Sequence, residues 1–233
     1  MKTGILYGVG IGPGNPDYLT LRAADLLRQA DVIFTVISRN ASSSVSKNVV
    51  ESLNPRGEIR LQTFSMSQDP AVRGAQVREN ADAIMAEMKQ GKDCVFATLG
   101  DTMTYSTFGY IQDIIRAEMP EAEIEIVPGV TSFATLAARS CQVLVENGEQ
   151  LRVIPSFRKE MAETLVFPPK STTILLKSYR SRAALIERLR REPDITILYA
   201  ERLGMADEFQ SSDLDEIAAR PDEYLSQIMV KKK

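Results

Sequence analysis

Short apolar runs alternate with amphipathic stretches through the first half of this chain, and that alternation restricts the fold more than any other feature. The run Ile5-Leu6-Tyr7-Gly8-Val9-Gly10-Ile11 is too short for a core helix and suits a strand buried on both faces. Gly12-Pro13-Gly14-Asn15-Pro16 ends it. Thr20 then stands where a helix N-cap belongs, with Ala23, Leu26, Leu27 and Ala30 on one face of the helix that follows, and a second apolar run spans residues 31–37. Strand, helix and strand at this spacing form a βαβ unit, whose strands pair in parallel. The pattern continues with a helix near 46–53, a strand near 59–64, a long helix near 70–90, a strand at 94–99, a helix after Tyr105 and a strand at 124–127. The Ser/Asn-rich connection 38–45 offers little apolar surface to bury and is expected as a mobile surface loop, able to serve as a lid.

Met119-Pro120-Glu121 interrupts this regularity and places a domain boundary there, giving units 1–120 and 121–233. Beyond it the pattern predicts a helix at 131–140, strands near 151–154 and 172–177, a helix near 182–191, and strands near 195–200 and 224–230. Helices are fewer per strand here, so the second sheet is expected to be mixed or antiparallel, whereas the first is parallel-rich. The class is α/β with two domains.

Composition narrows the chemistry. With 44% apolar and 25% charged residues in 233, the chain is globular. A formal charge of −3 gives no bulk field for nucleic acid or an acidic membrane, so an anionic ligand must be met by local Arg or Lys. Histidine is absent, which excludes Ser-His and Cys-His nucleophile pairs, His-ligated zinc and any imidazole titrating near neutrality. A base must be Asp, Glu, Lys, Tyr, Cys or solvent. Cys94 and Cys141 lie in apolar surroundings without Cys-x-x-Cys spacing, as in a reduced, cytoplasmic protein. The glycines near the N-terminus break any signal-peptide-like apolar segment, and no run approaches a membrane span, so an unsecreted soluble chain is expected. Met66, Met85, Met88 and Met103 are expected as core filler rather than metal ligands.

Three strand exits could carry chemistry. The glycine-rich turn after the first strand fails as a dinucleotide fingerprint: counted from Gly8 the motif needs Gly where Pro13 stands, and counted from Gly10 it needs Gly where Asn15 stands. It is a tight strand exit, with or without a ligand. Gly91-Lys92-Asp93 lacks the Ser or Thr of a phosphate loop. The second exit, Leu99-Gly100-Asp101-Thr102-Met103-Thr104-Tyr105, projects a carboxylate where open α/β sheets bind ligands; Asp101 is either a base in a cleft or an N-cap of the next helix. The third, Val127-Pro128-Gly129-Val130-Thr131-Ser132, offers free backbone N–H groups and two hydroxyls at a helix start, as a capped helix or as donors for a ligand.

Together these segments resemble the S-adenosylmethionine-dependent tetrapyrrole (corrin/porphyrin) methyltransferases across essentially the whole chain. The likeness is carried by the run from Gly8 to Pro16 with Leu19-Thr20, by Leu99-Gly100-Asp101 with Tyr105-Ser106-Thr107, and by Pro128-Gly129-Val130-Thr131-Ser132. Ile174-Leu175-Leu176-Lys177 and Tyr199-Ala200-Glu201-Arg202 complete it. Thr98-Leu99-Gly100-Asp101 and Val130-Thr131-Ser132-Phe133-Ala134 look like the branch that methylates carbon 20 of precorrin-2 or cobalt-factor II in cobalamin biosynthesis. The resemblance implies a homodimer of two-domain α/β subunits with S-adenosylmethionine in a cleft between the domains. It also implies that Pro13, Leu99, Gly100, Asp101, Thr104, Thr131, Ser132, Leu176 and Ala200 border the cofactor. Asn15 and Thr102 depart from the family's usual Asp and Pro; Asn15 removes a charge near the tetrapyrrole, and Thr102 is expected to loosen the turn that positions Asp101.

Methyl transfer from a sulfonium needs alignment more than acid–base chemistry: holding reactants in line supplies roughly 7–11 kcal/mol, against about 10²–10⁴-fold from a general base. A chain without histidine can therefore run it. Asp101 is the first candidate for the proton that the methylated carbon must lose, with solvent as its rival. A carboxylate-ringed substrate calls for cations, and Arg39, Lys47, Arg73, Arg78 and Arg139 are candidates. Any cobalt arrives inside the substrate, and no protein-bound metal is expected. The alternatives are methylation of another tetrapyrrole position, as in uroporphyrinogen-III C-methyltransferases, and a non-catalytic S-adenosylmethionine-binding protein.

Overall fold

The computed structural model describes residues 2–38, 44–64, 69–155 and 159–233, and the chain divides into two units, Met1–Thr131 and Ser132–Lys233. In the first, β1 (Leu6–Gly10), β2 (Val32–Ser38), β3 (Glu58–Phe64), β4 (Cys94–Thr98) and β5 (Ile124–Val127) form one parallel sheet in the order β3-β2-β4-β1-β5. β5 pairs with β1, so the division falls after Thr131 and not at 120, where the proline break suggested it.

Helices cover both faces, which is why the strands read as continuous apolar runs. α1 (Leu21–Gln29) and α2 (Val45–Glu51) bury Ala23, Leu26, Leu27, Val49 and Val50 against Val9, Ile33, Val95 and Ala97. On the other face α3 (Pro70–Met88) and α4 (Phe108–Glu118) pack Ile84, Met85, Met88, Phe108 and Ile111 on Leu6, Phe34 and Phe96. Met85 and Met88 are thus core residues, Met103 is exposed, and Met66 lies outside the described residues. Gly8 faces α4; a Cβ there would lie 2.4 Å from the Phe108 ring, so the glycine makes room for that aromatic. Thr20 caps α1, its hydroxyl accepting from the Ala23 amide at 3.2 Å. Ser44 caps α2 in the same way, at the end of the expected lid, whose residues 39–43 are outside the described ones.

The second unit opens with α5 (Ser132–Arg139). Its sheet, in the order β6-β7-β10-β8-β9, is mixed: β6 (Gln150–Ile154) and β7 (Ser171–Leu176) are parallel, whereas β10 (Ser226–Lys232) runs antiparallel to β7 and β8 (Ile195–Glu201), and β9 (Phe209–Ser211) antiparallel to β8. α6 (Arg182–Arg190) and α7 (Leu214–Ala219) cover the face of Tyr199, Ile228 and Val230; α5 covers that of Leu198, Ala200 and Met229. Sequence periodicity missed β9 and α7, which are three and six residues long. Among the described residues no helix is long and apolar enough to cross a membrane.

Cys94 is fully buried in β4 and burial pushes its thiol up to about 12, whereas Cys141 is exposed. A chromogenic thiol reagent should therefore titrate one cysteine in the folded protein and two after denaturation; two rapid equivalents before denaturation would contradict the packing of β4.

Candidate functional site

β1 and β4 lie side by side, yet the chain leaves them for opposite faces, β1 toward α1 and β4 toward α4. Divergence of this kind at the carboxyl ends of parallel strands is where open α/β sheets take ligands. Main chain ties the two exits together: Gly12 N donates to Gly100 O at 3.2 Å, Gly100 N to Gly12 O at 2.7 Å and Ile11 N to Thr98 O at 3.0 Å. The exit from β5 joins them. A Cβ on Gly129 would sit 2.1 Å from Gly100 O and 2.8 Å from Gly10, and one on Gly10 would sit 2.6 Å from Gly129 N. Gly100 itself has φ +73° and open space where its Cβ would be, so a ligand can approach its backbone.

Asp101 braces this meeting of loops. Oδ1 accepts from Met103 N at 3.0 Å and from the Thr104 hydroxyl at 2.8 Å, and Oδ2 accepts from Gly129 N at 3.1 Å. Burial pushes its pKa upward, but these donors outweigh that and hold the carboxyl below its ordinary value. It caps no helix; Thr107 holds that position before α4. Thr102, expected to loosen the turn, is fully buried and donates to Val127 O at 2.8 Å, so it fastens the β4 exit to β5. Asn15 accepts from Asp17 N at 2.9 Å and caps a one-turn 3-10 helix at Pro16–Tyr18, the same bond a carboxylate would make there.

Of the residues expected at the cofactor, Pro13 follows β1; Leu99, Gly100, Asp101 and Thr104 follow β4; and Thr131 follows β5. Those six share the carboxyl edge of three neighbouring strands in the first unit. The other three belong to the second unit, where Ser132 begins α5, Leu176 ends β7 and Ala200 lies near the end of β8. Between Leu176 and Ala200, in register with both, is Gln227 of β10. Sequence reasoning passed over it, although a lone amide beside Ile228-Met229-Val230 was a signal.

The expected cationic rim is less uniform. Lys47 pairs with Glu51 one helical turn on, and both are partly exposed. Arg139 donates to Glu208 at 3.1 Å and sits about 10 Å along α5 from Ser132, at 1.5 Å per residue. Arg78 pairs with Asp82 and Glu118. Arg39 lies outside the described residues.

These features define a two-unit α/β protein in which the exits of three neighbouring parallel strands meet main chain to main chain, with open space beside Gly100. The family model for tetrapyrrole (corrin/porphyrin) methylases matches residues 5–218, and the chain belongs to that family. It is 37% identical over 177 residues to the cobalt-precorrin-2 C(20)-methyltransferase of Salmonella typhimurium, covering 76% of this chain and 73% of that one. A Methanocaldococcus jannaschii protein named "Probable cobalt-precorrin-2 C(20)-methyltransferase" is 28% identical over 229 residues, 97% of this chain and 96% of its own. The fold is shared with uroporphyrin-III C-methyl transferase of Thermus thermophilus, solved in complex with S-adenyl homocysteine, at TM-score 0.66 and 23% identity over 98% of this chain and 97% of that one.

Proposed function

We propose that this protein transfers a methyl group from S-adenosylmethionine to carbon 20 of precorrin-2 or of its cobalt-containing counterpart, cobalt-factor II, in cobalamin biosynthesis. The observation that carries this is the 37% identity to a carbon-20 methyltransferase across about three quarters of both chains.

Bound S-adenosylmethionine supplies a methyl group already activated by a positively charged sulfur. The nine residues proposed to hold it suit such a cation, since none is Lys or Arg and most offer main chain or small hydroxyls. The chain's own work is then alignment and exclusion of water, the larger share of what this reaction needs. Asp101, the sequence candidate for proton acceptor, fits a different task. A carboxylate of lowered pKa with three donors on its oxygens is a poor base and a good brace, so the proton of carbon 20 passes to solvent. Lys47 and Arg139 are the described cations proposed for the substrate's carboxylates; the exposed Lys47–Glu51 pair is worth little and exchanges readily. The same proposal takes the enzyme as a cytoplasmic homodimer, supported by the family resemblance; the two unpaired cysteines fit a reducing compartment.

A panel of precorrin-2, cobalt-factor II and uroporphyrinogen III, each with ¹³C-methyl-labelled S-adenosylmethionine, tests this. The expected result is S-adenosylhomocysteine release with the label on carbon 20 of one of the first two. Label at another carbon, or turnover of uroporphyrinogen III alone, would transfer the assignment to another branch of the family. Binding without turnover of any tetrapyrrole would leave a cofactor-binding protein.

A further inference from the structure

Gln227 occupies β10 between Leu176 of β7 and Ala200 of β8, its register partners on either side. Directly opposed residues of antiparallel strands project to the same face, so the amide shares its face with both side chains. It is 3% exposed and stands two residues from the buried Met229 on that face. A buried amide is costly unless it is hydrogen-bonded, and this one is bonded twice to a single residue. Its Nε2 donates to Ser132 O at 2.9 Å, and its Oε1 accepts from Ser132 Oγ at 3.0 Å.

Only one set of proton positions satisfies this pair. A carbonyl oxygen accepts and never donates, so the amide nitrogen must face Ser132 O. Oε1 therefore faces the hydroxyl and can only accept, which commits the hydroxyl proton to Gln227. Ser132 Oγ is left presenting lone pairs.

We infer that Gln227 is a positioning residue of the cofactor subsite: it turns the Ser132 hydroxyl into a pure hydrogen-bond acceptor for an amine or hydroxyl of the cofactor, and it anchors the start of α5 to the ends of β7 and β8. This rests on the S-adenosylmethionine assignment above. Gln227 touches no reacting atom; it acts through Ser132.

The test measures S-adenosylhomocysteine affinity by calorimetry and steady-state kinetics for Gln227→Leu, Gln227→Glu, Ser132→Ala and the Gln227→Leu/Ser132→Ala double variant. Gln227→Leu should weaken S-adenosylhomocysteine about five- to tenfold and raise the KM for S-adenosylmethionine equally, leaving kcat and the tetrapyrrole KM within about twofold. The double variant should bind no worse than the weaker single, because both act through one hydroxyl. Gln227→Glu should bind poorly at neutral pH, its carboxylate facing Ser132 O without a proton. It should recover as the pH falls through its carboxyl range, where the neutral acid again offers one donor and one acceptor, while the parent protein stays flat. Unchanged affinity in Gln227→Leu overturns the inference, as does an equal loss in kcat and both KM values. If the parent protein itself fails to bind S-adenosylhomocysteine, the underlying assignment falls as well.

Discussion

Gly129→Ala is expected to lower the unfolding free energy by about 3 kcal/mol and to abolish S-adenosylhomocysteine binding. The new methyl would lie 2.1 Å from Gly100 O and 2.8 Å from the Gly10 backbone, and neither neighbour is a side chain that can swing aside. Forcing atoms into a filled space costs about 1–3 kcal/mol, and more where the obstacle is main chain. The loops after β1, β4 and β5 would have to part, and the open edge beside Gly100 would go with them. Gly100→Ala is the control for the folding loss alone, because its Cβ meets nothing within 4 Å and the only folding penalty is the left-handed φ of +73°, about 1 kcal/mol. Denaturant unfolding of both variants, with calorimetric titration of Gly129→Ala, checks this. Equal losses of stability would mean that conformational strain, and not collision, governs the site.

Asp101→Asn is expected to weaken S-adenosylhomocysteine by about thirtyfold, a penalty of about 2 kcal/mol. The carboxylate takes three donors on two oxygens, and an amide has only one oxygen. Whichever way the substituted amide turns, its NH₂ group faces either Gly129 N–H or the Met103 and Thr104 donors. The pH dependence follows from the depressed carboxyl: the brace contributes fully above the unfolded-state pKa of about 3.9 and is lost as pH falls through the lower folded value. The parent site should therefore stay intact at neutral pH and fail only in strong acid, a transition the Asn variant lacks. Unchanged cofactor affinity with collapsed turnover would return Asp101 to the role of proton acceptor.

Much of the fold was legible because burial on both faces writes strands as unbroken apolar runs. Leu6–Gly10 and Cys94–Thr98 announced themselves that way, and Thr20 marked the start of α1 through its cap. The domain boundary was less so: Pro120 breaks α4 from β5, but a proline reports a local turn and not which sheet the next strand joins. The loops of the site could be named from their glycines, whereas their mutual approach depends on strand order, which no spacing encodes. Thr102 looked like a loosened turn for the same reason, since its partner Val127 O is 25 residues away. Gln227 was hidden by distance as well, its bonds reaching Ser132 across 95 residues.

The place of β10 has a consequence for biogenesis. It is the middle strand of the second sheet, and the pairs β6-β7 and β8-β9 meet only through it, although it follows all four in the chain. Synthesis proceeds from the N-terminus at about 5–20 residues per second, so the first sheet can close while the halves of the second still wait on the ribosome for their keystone. Two unpaired strand edges are exposed throughout that interval, and the nascent chain is most prone to aggregation just before β10 emerges.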